Sequence, residues 1–432
     1  MTDLKPIGPS AYSLWPVLRN AMTASFWPIL DQAMVSGSNF LTNVVIAREL
    51  GAYDFGIFTL AWSAVLLGLS LQLSVISSPM YTLAGKVREH ETAGYYGALV
   101  LFEAVFTAIV FLGAYAGSLA GGMFFNDWPY TQYALPLAAV AICYLWQDFV
   151  RRCLFSRGRT MAAFGIDVIS YPVQIVALLL ATFHGLTLGS ALWIIGGTSI
   201  VSAVLGLAGI FPLRITIAEM RKVAVDHWEF ARWIVGSIAT NWVVLNIFYL
   251  VAGIALGATA VASLRANVLL FAVGNVFFLG LENFVPVRGA QLLARDGMQA
   301  LLKYMNFWLA IGISVSIGIS LCVTVLASFW LRLAFGDAFT GDVGIAYVLS
   351  AMYPLSCYVS LGGVLLRCAS ATRAIFLIWA AMAAVGLVVA YPFVQWLGVY
   401  GAAGGQLACY VAGCWLTHRH IRQFISQSVG AA

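Results

Sequence analysis

Long apolar runs, separated by short breaks of glycine, proline and charged residues, occupy almost the whole chain. An apolar run of about 20 residues is long enough to cross a bilayer as a helix. The breaks divide the chain into twelve such runs, with predicted helices over 26–47, 55–83, 95–119, 132–153, 163–184, 188–213, 229–256, 259–285, 304–329, 343–367, 374–396 and 400–417. The pattern therefore predicts an all-α polytopic membrane protein with twelve transmembrane helices.

The basic residues predict which side of the membrane each break faces. If both termini are cytoplasmic, the inner breaks and the termini hold all but three of the 22 Lys and Arg residues, the exceptions being Arg48, Arg265 and Arg332. Lys and Arg are enriched in cytoplasmic loops of membrane proteins. The distribution therefore favours an even number of helices, with both ends in the cytoplasm.

The composition excludes several classes of protein. Hydrophobic residues make up 62% of the chain and charged residues 9%, whereas a soluble domain carries about 25% charged residues. No break approaches the roughly 50 residues that a separate domain needs. The chain has no Walker A pattern, no GxGxxG and no paired-His metal motif. We therefore expect no enzyme, no cofactor and no metal site, and the +5 charge is no sign of nucleic-acid binding.

Two pairs of similar segments suggest an internal duplication. The segment "RELGAYDFG" ends predicted helix 1 and "IALGATAVA" ends predicted helix 7, while "RRCLFSRGR" follows helix 4 and "LRCASATR" follows helix 10. Six helices per half would place both halves in the same orientation, as parallel repeats about a pseudo-two-fold axis along the membrane normal. We therefore expect a cytoplasmic N-terminal segment (1–25), a first six-helix lobe (26–213), a cytoplasmic linker (214–228), a second six-helix lobe (229–417) and a cytoplasmic tail (418–432).

The first two predicted helices carry a pattern that resembles a known family. The segment Asp31–Trp62, "DQAMVSGSNFLTNVVIARELGAYDFGIFTLAW", is similar to the start of the polysaccharide transporters, the Wzx-type oligosaccharide flippases. These belong to the multidrug/oligosaccharidyl-lipid/polysaccharide exporter superfamily. The segment "NFVPVRGAQLLARDG" at 283–297 resembles the matching part of the second half. Length and helix number agree with the resemblance across nearly the whole chain.

The resemblance implies a function and a location. A protein of this family moves a polyprenyl-diphosphate-linked oligosaccharide from the cytoplasmic to the periplasmic leaflet of the bacterial inner membrane. Its expected partners are the lipid-linked oligosaccharide, membrane lipids, and a polysaccharide polymerase with chain-length proteins. The alternative is a cation-coupled multidrug or small-solute antiporter of the same superfamily. Basic residues in the cavity would favour the flippase, and an apolar, acidic cavity would favour the antiporter.

Arg265 is the one basic residue inside a predicted span, about two turns from the outer end of predicted helix 8. An Arg at a helix centre costs roughly 2.5–3.5 kcal/mol on insertion scales, so it faces a cavity, a partner or the interface. One interpretation is a snorkelling side chain, or an ion pair with an acid from the other lobe. The other is a fixed cation that holds a diphosphate through bidentate hydrogen bonds.

Predicted helix 1 also has a polar stripe, formed by Asp31, Ser38, Thr42 and Glu49. These residues fall within about 40° of one another at 100° per residue, so we expect them to face the bundle interior. Asp31 is either a neutral, hydrogen-bonded carboxyl or a proton or cation site coupled to lobe movement. The same two interpretations apply to Glu103 in predicted helix 3.

Three further arginines are candidate substrate contacts. Arg48 is expected either to pair locally with Glu49 or Asp54 or to contact a phosphate on the exit side. Arg152 and Arg367 occupy equivalent cytoplasmic ends of predicted helices 4 and 10, where topology alone explains them and substrate capture is the sharper hypothesis. Asp148 precedes Arg151 and Arg152 by three and four residues, a spacing that predicts an ion pair.

Overall fold

The computed structural model describes the backbone of residues 14–124, 128–369 and 371–429, which is helical with no strand. The first half of the chain forms α1–α6 and the second half α7–α12. In order they are Leu14–Gln72, Ser78–Leu83, Thr92–Phe124, Ala134–Ser156, Thr160–Thr182, Leu188–Leu207, Ile217–Leu256, Ala258–Leu269, Ala272–Phe335, Gly344–Cys368, Thr372–Leu397 and Val399–Val429. A π-helical turn, Leu73–Ser77, joins α1 to α2.

Nine helical segments of the described residues are long and apolar enough to cross a membrane. Two of them, Leu30–Lys86 with 57 residues and Arg288–Phe335 with 48 residues, are more than twice the length that one crossing needs. The structure thus has the multi-pass, all-α architecture that the sequence predicts. The count of twelve spans stays a prediction.

Two glycines make equivalent breaks in the two halves. Gly51 interrupts α1 with φ 79° and ψ 177°, and Gly257 separates α7 from α8 with φ 87° and ψ 176°. This backbone conformation is open essentially to glycine alone. Both glycines follow a leucine and precede an alanine, so the matching sequence segments also match in local structure. The break predicted at 48–54 is shorter than expected, because the non-helical backbone is confined to Gly51 and helix resumes directly after it.

Two long predicted breaks are also helical. The chain continues as α9 through 286–303, with Pro286 inside the helix and a single break at Gly297, where φ is 79° and ψ is −173°. The predicted linker at 214–228 contains the start of α7. Polar composition made both segments look like loops, whereas in the structure each extends a neighbouring helix.

The start of α7 packs on the first half of the chain. The backbone nitrogen of Arg214 donates to the carbonyl oxygen of Ala93, 2.9 Å away, just before this helix begins. His227 is buried, with one ring nitrogen 3.0 Å from the Tyr95 hydroxyl and the other 3.3 Å from the Val75 carbonyl oxygen. Burial lowers the pKa of His227 below its usual 6.5. The remainder of α7 packs mainly on α11 and also on α12 and α1, so this helix contacts both halves.

Candidate functional site

The two halves meet through aromatic side chains at the end of the bundle that carries Gly51 and Gly257. The Phe55 ring of α1 lies 6.2 Å from the Phe335 ring and 6.0 Å from the Phe339 ring, both in the second half. All three side chains are buried. Because the topology predicts that this end is periplasmic, these contacts close the space between the halves on the predicted periplasmic side.

A close approach of two backbones supports the same closure. A Cβ atom added at Gly56 of α1 would overlap the carbonyl oxygen of Ala258 in α8. Only a residue without a side chain allows this contact. The short helix α8 therefore lies directly against α1, which places its side chains at the junction between the two halves.

Arg48 contributes a polar contact to this closure. Its guanidinium donates to the carbonyl oxygens of Leu333, at 2.9 Å, and Arg332, at 3.5 Å, in the last turn of α9. A cation is favourable there because the final carbonyls of a helix lack partners and carry partial negative charge. Among the described residues Arg48 makes no ion pair, so the predicted local pairing with Glu49 or Asp54 is wrong.

A buried ionic cluster lies inside the first half, between α1, α4 and α5. Asp148 accepts from Arg151 at 2.7 Å and from Arg152 at 2.5 Å, which confirms the pairing predicted from their spacing. A second nitrogen of Arg151 lies 3.5 Å from a carboxylate oxygen of Asp31 and 3.5 Å from one of Asp167. Arg151 thus holds three acids from three helices together. Arg152 is committed to Asp148 and is mostly buried.

The cluster contains one more acid than base, since its three carboxyls surround two guanidinium groups. The Asp31 and Asp167 carboxyls interact with each other as well as with Arg151. Two oxygens, Asp31 Oδ1 and Asp167 Oδ2, have no hydrogen-bond partner among the described residues. An unbalanced buried charge is costly, so binding of one proton or small cation there would offset the excess negative charge.

Neutral side chains orient the acids of this cluster. Gln147 donates from Nε2 to Asp167 Oδ1 at 3.2 Å, and Ser170 donates to the Gln147 amide oxygen at 3.0 Å. Sequence reasoning missed Asp167, although the same criterion that selected Asp31 applies to it: an acid inside an apolar span. With Ser170 and Gln174 it forms a polar stripe at helical spacing on α5.

The predicted polar stripe of α1 faces the interior along most of its length. Asp31, Ser38 and Thr42 are buried, and Gln174 Nε2 donates to Thr42 Oγ1 at 2.8 Å. Glu49 is exposed, so its predicted inward orientation is wrong. The stripe ends before the Gly51 break, where α1 reaches the end of the bundle.

Glu103 of α3 is a second buried acid, separate from the ion pairs. It has no exposed surface, and the one hydrogen-bond donor to it from the described residues is Gln72 Nε2, 2.7 Å from Oε1. The Gln72 amide also donates to the Leu145 carbonyl oxygen at 2.9 Å. Glu103 Oε2 and Gln72 Oε1 lack partners among the described residues. The π-helical turn Leu73–Ser77 begins directly after Gln72, and such turns are frequent at functional sites.

Arg265 is half-buried on α8, with its side chain beside the Tyr249 hydroxyl of α7. None of the ion pairs of the described residues includes it. The predicted alternative of an ion pair with an acid from the other lobe therefore has no support in the described part of the chain. Arg265 is a guanidinium at depth, next to the junction of the two halves.

The four predicted arginines do not form one site. Arg48 lies at the predicted periplasmic closure, Arg152 in the ionic cluster and Arg265 on α8. Arg367 is exposed at the end of α10, next to Cys368. No interaction of the described residues joins any two of these arginines. In the described structure, Arg265 thus combines burial with the absence of a carboxylate partner.

No protein family matches the chain at the sequence level, and no curated protein does. Solved structures do match. An inward-facing multidrug resistance MATE family transporter of the MOP superfamily superposes with a TM-score of 0.77 at 14% identity, over 90% of this chain and 95% of that one. The lipid II flippase MurJ in an inward closed conformation gives 0.70 at 13% identity, over 94% and 90%.

An outward-facing MATE family transporter gives a lower TM-score, 0.64 at 14% identity, over 93% of this chain and 95% of that one. These likenesses show that the chain has the two-lobed fold of MOP superfamily transporters.

Proposed function

We propose that the protein is a flippase that moves a polyprenyl-diphosphate-linked oligosaccharide from the cytoplasmic to the periplasmic leaflet by alternating access. The observation that carries the proposal is Arg265, a half-buried guanidinium without a carboxylate partner among the described residues, at the junction of the two halves. The resemblance of Asp31–Trp62 to oligosaccharide flippases supports it. So does the likeness of the fold to a structure described as a lipid II flippase.

The chemistry of a diphosphate fits Arg265. A guanidinium presents a planar fork of N–H donors that bonds two phosphate oxygens at once, and its positive charge persists at any physiological pH. In a site of low dielectric this interaction is stronger than in water. The neighbouring Tyr249 hydroxyl can orient the guanidinium without neutralising it.

The contacts at the predicted periplasmic end suit the first step of such a cycle. With Phe55, Gly56 and Arg48 holding the halves together there, the space between them would open towards the cytoplasm, where lipid-linked oligosaccharides are assembled. Movement of the halves would then break these contacts and expose the substrate to the periplasm. The same movement would separate the groups that bind the substrate between the halves, and the substrate would then be released.

Coupling to an ion gradient is the second part of the proposal. The Asp31–Asp167 pair, held by Arg151, would accept one proton or cation, because the cluster has one acid in excess. Glu103 is a second candidate, since its carboxyl has a single neutral donor among the described residues. Either event changes the charge inside the first half and can bias the lobes towards one arrangement.

The test is polysaccharide export per inserted molecule for Arg265→Ala and Arg265→Lys. We expect the Ala variant to lose export at normal protein abundance, and the Lys variant to keep part of it, because lysine retains the charge but not the fork. The matched control is Arg332→Ala, which removes an exposed arginine paired with Asp337. Export at the wild-type level from Arg265→Ala would overturn the proposal.

The alternative is a cation-coupled multidrug or small-solute antiporter, which the excess acid in the first half favours. The two functions separate in proteoliposomes that contain either a lipid-linked oligosaccharide or a fluorescent cationic drug. We expect Asp31→Asn to abolish gradient-driven transport of whichever compound is moved. Transport of the cationic drug and not of the lipid, unaffected by Arg265→Ala, would establish the antiporter.

A further inference from the structure

Large apolar side chains are exposed on a part of the chain that lies between two candidate spans. Leu188–Leu207 and Ile234–Leu256 are the flanking spans. Between them, five large apolar residues are more than half exposed: Phe211, Ile215, Ile217, Val225 and Trp228. Apolar side chains outside the spans are unfavourably hydrated unless another molecule covers them, so these five residues are candidates for an interaction surface.

The contacts of this segment place it at the membrane surface. Lys222 pairs with Glu91 at 3.3 Å, and His227 contacts Tyr95 at 3.0 Å. The Glu219 carboxylate also lies beside Gly94. Residues 219–227 span about 12 Å of helix, whereas their partners at 91–95 span about 6 Å, at 1.5 Å per residue. The start of α7 therefore crosses α3 instead of running along it. Because α3 begins there, the crossing lies where the bundle meets the headgroups.

Helical geometry gives the crossing segment three distinct faces. At 100° per residue, Ile217, Arg221, Val225 and Trp228 fall within an arc of about 80°. Val223 and His227 are buried against the first half on a second face. The third face carries the acids Glu219, Asp226 and Glu229, all at least about 40° outside the apolar arc.

The basic and acidic residues of this segment lie on different sides of the helix. Arg221 is exposed in the middle of it, while the three acids lie off it. A helix with Trp and aliphatic side chains on one face and basic residues beside them is typical of a segment lying in the headgroup region. Arginine stems pack along apolar surface while the guanidinium reaches the phosphates.

We propose that the face formed by Ile217, Arg221, Val225 and Trp228 binds anionic phospholipid in the adjacent leaflet, which the topology predicts to be the cytoplasmic one. The apolar side chains enter the boundary between headgroups and acyl chains, and Arg221 contacts a lipid phosphate. The opposite side of the same helix stays docked on Tyr95 through His227. This surface is independent of the transported substrate.

The test is photo-crosslinking of the full-length protein in nanodiscs of phosphatidylethanolamine and phosphatidylglycerol. A benzoylphenylalanine replaces Ile217 or Trp228 on the apolar arc, or Lys222 or Asp226 as exposed controls off it. Mass spectrometry then counts lipid adducts at each position. We expect adducts at 217 and 228 and at least a tenfold lower yield at 222 and 226.

Arg221→Glu tests the anionic preference. At position 228 we expect the phosphatidylglycerol share of the adducts to fall to its bulk fraction in this variant, and to exceed that fraction with arginine present. Equal adduct yields at all four positions, or none at 217 and 228, would overturn lipid binding and leave the face to water or a protein partner. An unchanged phosphatidylglycerol share in Arg221→Glu would overturn the contact with anionic headgroups.

Discussion

Phe55→Ala should shift the protein from the arrangement closed at the predicted periplasmic end to one open there. The substitution removes the two ring contacts of Phe55 with the second half, at 6.2 Å to Phe335 and 6.0 Å to Phe339. An aromatic pair contributes roughly 0.5–1.5 kcal/mol beyond its area burial, so losing two costs the closed state about 1–3 kcal/mol. At 1.4 kcal/mol for each factor of ten, the open-to-closed ratio rises about 5- to 150-fold.

The assay is the distance between spin labels at Tyr53 and Ala338, two exposed positions at the closed end in opposite halves. Labels are introduced in a background without the native cysteines, and distances are measured in nanodiscs. We expect a longer-distance population to grow in Phe55→Ala.

Phe149→Ala is the matched control, because Phe149 is also fully buried but its ring contacts Trp146 in the same half, at 5.8 Å. It should lower thermal stability and leave the distance distribution unchanged. If Phe55→Ala also leaves the distances as in the wild type, these rings do not hold the halves together and the assigned closure is wrong.

Two further predictions concern backbone and pH. Gly51→Ala should destabilise the protein by about 1–3 kcal/mol, because φ 79° and ψ 177° strain any residue with a Cβ. Gly37→Ala, at an uncrowded helical position, should be neutral or slightly stabilising in the same thermal unfolding measurement; equal effects would disprove the strain. His227 has a lowered folded-state pKa, so its neutral form is favoured and its docking is fully stable above about pH 6.5. As the pH falls below that value, through the folded-state pKa, proteolytic cleavage within 208–233 should accelerate. The rate of this cleavage should not depend on pH in His227→Asn. A cleavage rate that does not depend on pH in the wild-type protein would refute the prediction.

Some of the ionic cluster was predictable because it depends on short spacing along one helix. Asp148 lies three and four residues before its two arginines, and this spacing brings the groups together in any α-helix. The inward position of Asp31 followed from the cost of an exposed charge in lipid. The contact of Arg151 with Asp167 could not be predicted from spacing, because it depends on how α4 packs beside α5.

The partner of Arg48 was unpredictable for the same reason. Its acceptors, the carbonyls of Arg332 and Leu333, lie 284 and 285 residues away along the chain. Nearby acids, Glu49 and Asp54, offered an obvious but wrong choice. The helical segments at 214–228 and 286–303 were mistaken for loops because membrane-span criteria score apolarity, and a polar extension of a helix lacks it.

The course of α7 limits how the two halves can move relative to each other. One continuous helix is clamped to Tyr95 in the first half and, farther along, to α11 and α12 in the second. A helix held at both ends resists bending, so α7 does not join the two halves as a flexible linker would. Any rocking of the two halves would have to bend this helix, in which Gly236 is the glycine nearest the middle, or release the contact of His227 with Tyr95. The stiffness of a single helix would then set the height of the mechanical barrier between the two orientations.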